Sequence, residues 1–292
     1  MSLKEHLAAL SGSEPTAVAL RLTAVEILLR PMGPGWIFAP LVLVATLGLL
    51  ATPVLLSAWT WYAASALVAA RIVVDWPEPD NHIYLLGYWC LAIGLARGSL
   101  TPAPKLAHAG RLLLGFAFAF AVIWKAVLSP EYRDGRFFTV TLLTDPRFAD
   151  VTQLVGRMSP DAFMSNRRVL DPLPDGAELA DPPSLNLTRS FGFLAFAATW
   201  GTLVFEALLA VAFLTWKPGR LEYARHGLLL LFCLVTYAVA PVSGFGWLLL
   251  AMGCALCRPD QHILRALYVA AWFVVLFYGE IPWAAAVLRL SS

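Results

Sequence analysis

Long apolar runs, nearly unbroken and separated by short polar turns, dominate the chain, and they do not alternate with a period of two. A run of roughly 20 apolar residues is what a membrane-crossing helix needs. Only helices and closed barrels satisfy their own backbone in lipid, and the absence of alternation argues against a barrel. The pattern predicts spans over 36–59, 60–74, 82–96, 112–128, 191–216, 227–240, 242–256 and 264–288. Several of these are short and need their flanks, or burial among neighbours, to reach across. A further apolar segment at 17–29 carries Arg21 and Glu26, five residues apart and so out of register for a helical ion pair. It either lies in the interface or completes the bundle. The run 227–256 is too long for one upright helix, and it contains Pro241 with Ser243, Gly244 and Gly246 close behind. It is therefore two helices or one strongly broken one. The expected fold is all-α: a single domain forming a polytopic transmembrane helical bundle of about seven to nine spans, with one extended extramembrane loop at 129–190.

Composition strengthens this picture. Apolar and aromatic residues make up 59% of the 292 positions and charged residues only 14%, against about half and a quarter in soluble domains. Such an excess would leave broad apolar patches in water, and a mean hydropathy of +0.71 suits lipid. The net charge is only +2 and the basic residues are scattered, which argues against a nucleic-acid partner. Residues 1–14 are polar and do not read as a secretory signal. Cys90, Cys233, Cys254 and Cys257 lie in or beside apolar runs, not in the spacing of a secreted disulfide framework.

Lys and Arg placement sets orientation. The connections holding Arg97, Lys105 and Arg111, then Lys217, Arg220 and Arg225, then Arg258 and Arg265, are basic. Eight spans plus one N-terminal crossing put all three on the cytoplasmic side. The 75–80 turn and the 129–190 loop then face outward. Within that loop the Pro- and Asp-rich stretch 171–183 reads as an irregular connector, and 137–143 as a short strand or an interfacial helix.

Three polar constellations interrupt the apolar runs, and intramembrane charge is costly and often functional. Lys125 follows the aromatic, uncharged run 116–124; it is either a lysine snorkelling at a helix end or a desolvated amine able to act as a base. At the mouth of the 82–96 span gather Asp75, Glu78, Asp80, Asn81 and His82, with Tyr84 just inside. Asp80 or Asn81 suits a helix cap, whereas His82 calls for a hydrogen-bond partner or a ligand. Glu206 lies deep in 191–216 and His226 enters the next span; a buried carboxylate needs a partner or a proton, and His226, Arg225 and Arg21 are the candidates. A metal site from His82, His262 and Glu206 has no ligand spacing behind it. The Cys254-Ala-Leu-Cys257 spacing is that of thiol–disulfide exchange, but nothing beside it suggests a redox partner. The echo of Pro79-Asp-Asn-His-Ile83 in Pro259-Asp-Gln-His-Ile263 does not extend into the flanks and is treated as chance.

Taken in order, these residues resemble a known family. Asp80-Asn-His-Ile-Tyr-Leu-Leu-Gly-Tyr-Trp89, then Phe120-Ala-Val-Ile-Trp-Lys125 with Ser129-Pro-Glu-Tyr-Arg-Asp-Gly135, then Thr202-Leu-Val-Phe-Glu206 and His226 are similar to segments of the vitamin K-dependent γ-glutamyl carboxylases and their bacterial horizontally transferred transmembrane (HTTM) domain relatives. The order and approximate spacing agree over about residues 17–285. The resemblance implies that Lys125 is the base that draws a proton from reduced vitamin K or a menaquinol-like quinol, with O₂ and CO₂ as co-substrates. The strong base so formed takes a γ-proton of glutamate, and CO₂ adds. It implies His82 as a second catalytic polar group, and Asn81, Tyr84, Glu206 and His226 as substrate- or cofactor-binding residues. A dry pocket for such chemistry is physically coherent.

The match departs from the family in three places. The Lys125-to-Glu131 spacing is about two residues longer than the family's, Tyr132 stands where Trp is common, and no β-rich half follows the last span. The expected partners are the bilayer, a lipid quinone and a peptide or small-molecule substrate. Two other classes remain open. One is a non-catalytic membrane maturation or interaction protein or a small-molecule transporter; the other is a quinone-linked thiol oxidoreductase using Cys254 and Cys257.

Overall fold

The computed structural model describes residues 14–30, 32–77, 80–171, 184–215, 220–240 and 242–291. These residues are helical, without a strand among them. The helices are α1 Pro15–Leu29, α2 Gly35–Leu50, α3 Thr52–Leu55, α4 Ala58–Val74, α5 Asn81–Arg97 and α6 Pro102–Ile123. After α6 comes a π-helical turn at Trp124–Leu128. There follow α7 Pro130–Arg133, α8 Arg136–Thr144, a 3₁₀ turn at Pro146–Phe148, α9 Ala149–Gly156 and α10 Pro160–Val169. The chain closes with α11 Arg189–Leu214, α12 Arg220–Val239, α13 Ser243–Ala255, α14 His262–Glu280 and α15 Trp283–Ser291.

Prolines and unpaired carbonyls explain where the expected spans break. The 36–59 segment divides because Ala51 is extended and Pro53 follows it. Side chains also bond the last carbonyls of α3: Thr60 Oγ1 donates to Val54 O (2.6 Å), which the Ser57 amide reaches too, and Trp61 Nε1 donates to Leu55 O (2.8 Å). The 264–288 segment divides at Pro282 into α14 and α15. Helices α12 and α13 are separate, so 227–256 is two helices; Pro241 itself lies outside the described residues. Segment 17–29 is a regular helix, α1.

Three described helices are long and apolar enough to cross a membrane: Pro102–Leu128, Arg189–Leu214 and His262–Glu280. Gly35–Leu50, Ala58–Val74 and Gly244–Ala255 are apolar but shorter. On α11 the exposed residues Phe193, Phe196, Trp200, Val204, Leu208 and Val211 form a stripe at helical spacing.

The chain forms two compact units. The first comprises Met1–Ala117, Leu209–Tyr237 and Val242–Gly279. In it α1 is buried on nearly every side, as a central helix should be, and packs on α2 and α13. Helices α4 and α5 pair closely because Gly94 leaves room for the Tyr62 ring, 2.6 Å from where a Cβ would stand. Several arginines counted above for orientation cap helix ends here: Arg97 donates to Leu56 O (2.8 Å), Arg111 to Phe213 O (2.8 Å), and Arg265 to Arg258 O and Pro259 O (3.0 and 2.9 Å).

The second unit comprises Phe118–Leu208, Ala238–Pro241 and Glu280–Ser292. Residues 137–143 belong to a helix, α8, and not to a strand. Leu142, Leu143, Phe148, Met158, Phe163, Phe191 and Ala195 build a buried apolar cluster, so the segment 136–169 is packed and carries a core. Residues 172–183, most of the stretch read as a connector, lie outside the described residues.

Candidate functional site

Lys125 sits in the π-helical turn, a widened geometry that recurs at functional positions in helices. Ser129 is extended (φ −117°, ψ 95°) and Pro130 supplies no amide hydrogen, so the helix stops there. The lysine does not snorkel into solvent. Its Nζ lies 2.5 Å from Glu206 Oε1, and both side chains are largely buried (17% and 8% exposed). Glu206 thus takes its partner from neither His226 nor an arginine. It faces inward because it stands two residues beyond the outward-facing Val204, roughly 200° round the helix.

The rest of the site comes from the same unit. Tyr132, 1% exposed, presents its ring to Lys125 with Nζ 5.2 Å from the ring centroid, a cation–π distance. Phe137 and Phe138 hold that ring from the other sides, at 5.2 and 5.5 Å between centroids. The turn that carries the aromatics back is made by Gly135 at φ +82°, a conformation that favours glycine. Thr202, one helical turn before Glu206, lies beside the Tyr132 hydroxyl. Two buried polar atoms have no hydrogen-bond partner of ordinary geometry: Glu206 Oε2 and Tyr132 Oη.

Chemically, the pair is able to hold a base in reserve. Moving one proton from Nζ to Oε1 turns ammonium and carboxylate into amine and acid, which removes both charges from an apolar setting. A neutral amine is thereby made without leaving a net charge buried.

The other predicted residues fall in the first unit and have partners of their own. His82 is the second residue of α5, and Arg30 Nη2 donates to its Nε2 at 2.6 Å. Since the guanidinium can only donate, Nε2 accepts and the ring proton belongs on Nδ1. Asp80 occupies the N-cap position without a capping bond; its Oδ2 instead faces His82 Nε2 at 3.6 Å. Asn81 is exposed and Tyr84 half-buried. His226 is fully buried, its Nδ1 2.8 Å from Tyr268 Oη, while Nε2 has no partner. Glu26, 1% exposed, sits one turn before Arg30 with Oε2 unpaired. Among the described residues no three His, Cys, Asp or Glu gather to hold a metal ion. All four cysteines are buried free thiols, and His262, unlike His82, is exposed.

Arg30, Tyr132 and Tyr268 were not among the expected site residues. Only Tyr132 left a mark in the sequence, as the aromatic substitution noted above. Arg30 reaches His82 by lying across Gly244, in space that only a glycine leaves open. Gly244→Ala should therefore evict the guanidinium and cost about 1.5–3 kcal/mol, the worth of a hydrogen bond from a charged donor. Arg30→Met should cost the same, and the two losses should not add. Thermal unfolding in detergent checks this; full additivity would place Arg30 elsewhere.

Comparison with known protein families, curated proteins and solved structures finds no match for this chain.

Proposed function

We propose that this chain is a multi-pass protein of a bacterial inner membrane, with about seven to nine crossings. In this reading it is an enzyme of the HTTM and γ-glutamyl carboxylase-like class. The observation that carries the reading is the buried Lys125–Glu206 pair at 2.5 Å, set in helices whose outer faces are aromatic and apolar. Exposed apolar stripes such as 193–211 on α11 suit lipid, and the shorter helices would complete the crossings by packing in groups.

The same atoms support the substrate class that the resemblance implies. Glu206 Oε2 is a buried acceptor with no protein donor, and leaving it so costs about 1–3 kcal/mol. A hydroxyl on an apolar ring supplies that donor, and a lipid-dissolved quinol is such a molecule. Lys125, an amine once its own proton has passed to Glu206, then draws the hydroxyl proton through that carboxyl. The quinol with O₂ would supply the strong base needed to remove an unactivated C–H proton, after which CO₂ adds. His82, with Asn81 and Tyr84 beside it, and His226 are proposed only as accessory polar groups.

Lys125→Ala should abolish quinol oxidation in proteoliposomes, read by absorbance, while the protein stays monodisperse. Turnover at the wild-type rate sinks the proposal. Mass spectrometry of lipids co-extracted with the wild type should find a quinone in stoichiometric amount. A second reading is favoured by the closure of the pair itself: Lys125 and Glu206 neutralise each other and serve as structural glue in a non-catalytic membrane protein.

A further inference from the structure

Lys125, Glu206 and Tyr132 meet at one point, and two of the three keep a buried polar atom in reserve. Glu206 Oε2 can only accept while the carboxylate is ionised, and Tyr132 Oη brings an O–H. The two unpaired atoms are therefore complementary to a single ligand oxygen that carries a hydrogen: the hydrogen goes to Glu206 and the lone pair faces Tyr132. Tyr132 is 1% and Glu206 6% exposed, so bulk water does not reach them, and the group beside Tyr132 Oη is the Thr202 hydroxyl, whose own hydrogen goes to Ala198 O.

We propose that Tyr132 is a catalytic residue of this site, donating its phenolic hydrogen to the substrate oxygen from which Lys125 draws a proton through Glu206. This rests on the reading of Lys125 and Glu206 as the base of a quinol-oxidising enzyme. As the substrate O–H bond breaks, its electron pair stays on oxygen and its proton goes to Glu206 Oε2, while the proton held on Oε1 returns to the Lys125 amine. The lysine ends as ammonium and Glu206 stays the neutral acid. The growing negative charge on that oxygen then strengthens the hydrogen bond from Tyr132, in the way an oxyanion-hole donor acts. The phenol remains protonated throughout. Burial, and the Glu206 carboxylate beside it, hold it above the ordinary tyrosine range. The ring has a separate task, which is to face the Lys125 ammonium before its proton leaves. Phe137 and Phe138 fix its plane, so the hydroxyl keeps one direction.

The hydroxyl and the ring are separated by Tyr132→Phe, which keeps the ring and its packing. The experiment uses full-length protein in proteoliposomes with 2-methyl-1,4-naphthoquinol as probe. Turnover is followed by absorbance, and binding of the quinol by equilibrium dialysis under nitrogen. Tyr132→Phe should lower kcat about 100-fold, the size of losing one oxyanion donor, with the dissociation constant changed by less than about threefold and thermal unfolding unchanged. Tyr132→Leu, which removes the ring as well, should also weaken binding. Equal kcat in Tyr132→Phe and wild type overturns the role of Tyr132 and leaves Lys125 as base intact. A loss confined to binding or to unfolding temperature overturns it too, because a structural role moves those and not kcat. Wild-type protein that turns over no quinol overturns both readings.

Discussion

Replacing Glu206 by leucine is expected to destabilise the protein by about 3–5 kcal/mol, because it leaves the Lys125 ammonium uncompensated in a largely buried site. Adding Lys125→Met should recover most of that loss, or exceed wild-type stability, since an ion pair replaced by apolar residues of similar volume no longer carries its desolvation cost. Unfolding in detergent micelles measures all three variants. The double variant also discriminates between the two readings of the pair. Stable but inactive protein assigns the pair to catalysis; stable protein that keeps its cellular role without quinol turnover assigns it to structure. Single-variant losses below about 1 kcal/mol would mean that the two charges are solvated like a surface pair.

The second large effect belongs to the junction of α12, α13 and α14. Gly253 lies against the Tyr268 ring, with Tyr268 Cζ at 2.7 Å and Leu229 Cδ2 at 2.9 Å from where a Cβ would stand. Tyr268 is fully buried and cannot yield sideways. Gly253→Ala should drive the ring off His226 and cost about 2–4 kcal/mol, overpacking and lost hydrogen bond together. Tyr268→Phe alone should cost about 1–3 kcal/mol by leaving both His226 nitrogens without a partner. The combined variant should fall well short of the sum, because both changes break the same contact. Equal and additive losses would separate the glycine from the histidine.

Much of the helical layout is legible because its signals are local. Apolar runs place most of the helices, and the division of 227–256 follows from its length and Pro241. The breaks at Pro53 and Pro282 inside 36–59 and 264–288 are not legible, because a proline in an apolar run kinks a helix as readily as it ends one. The packing of 136–169 is different. Its core residues Leu142, Phe148 and Phe163 meet Phe191 across a Pro-rich interval, and proline density masks a contact of that kind. The site divides in the same way. Lys125, Glu206, His82 and His226 stand out as polar residues in apolar surroundings, which needs only the sequence. Their partners do not: Lys125 and Glu206 are 81 residues apart and Arg30 and His82 are 52 apart. No periodicity connects such positions. Tyr132 was visible only as an aromatic among aromatics, and its unpaired hydroxyl exists only once the ring is buried.

The wide turn at Trp124–Leu128 bears on how such chains can be aligned. A π-turn accommodates an inserted residue within a helix that otherwise continues. Lys125 can therefore keep its place opposite Glu206 while the count of residues from it to Pro130 changes by one. Relatives of this protein would then differ in length at this point without differing in the site. An alignment that scores a gap inside a transmembrane helix as prohibitive would misplace the lysine by about 100° of helix rotation. Chains that carry such a turn are better compared by the lysine, the inward glutamate and the aromatic between them than by a count of residues.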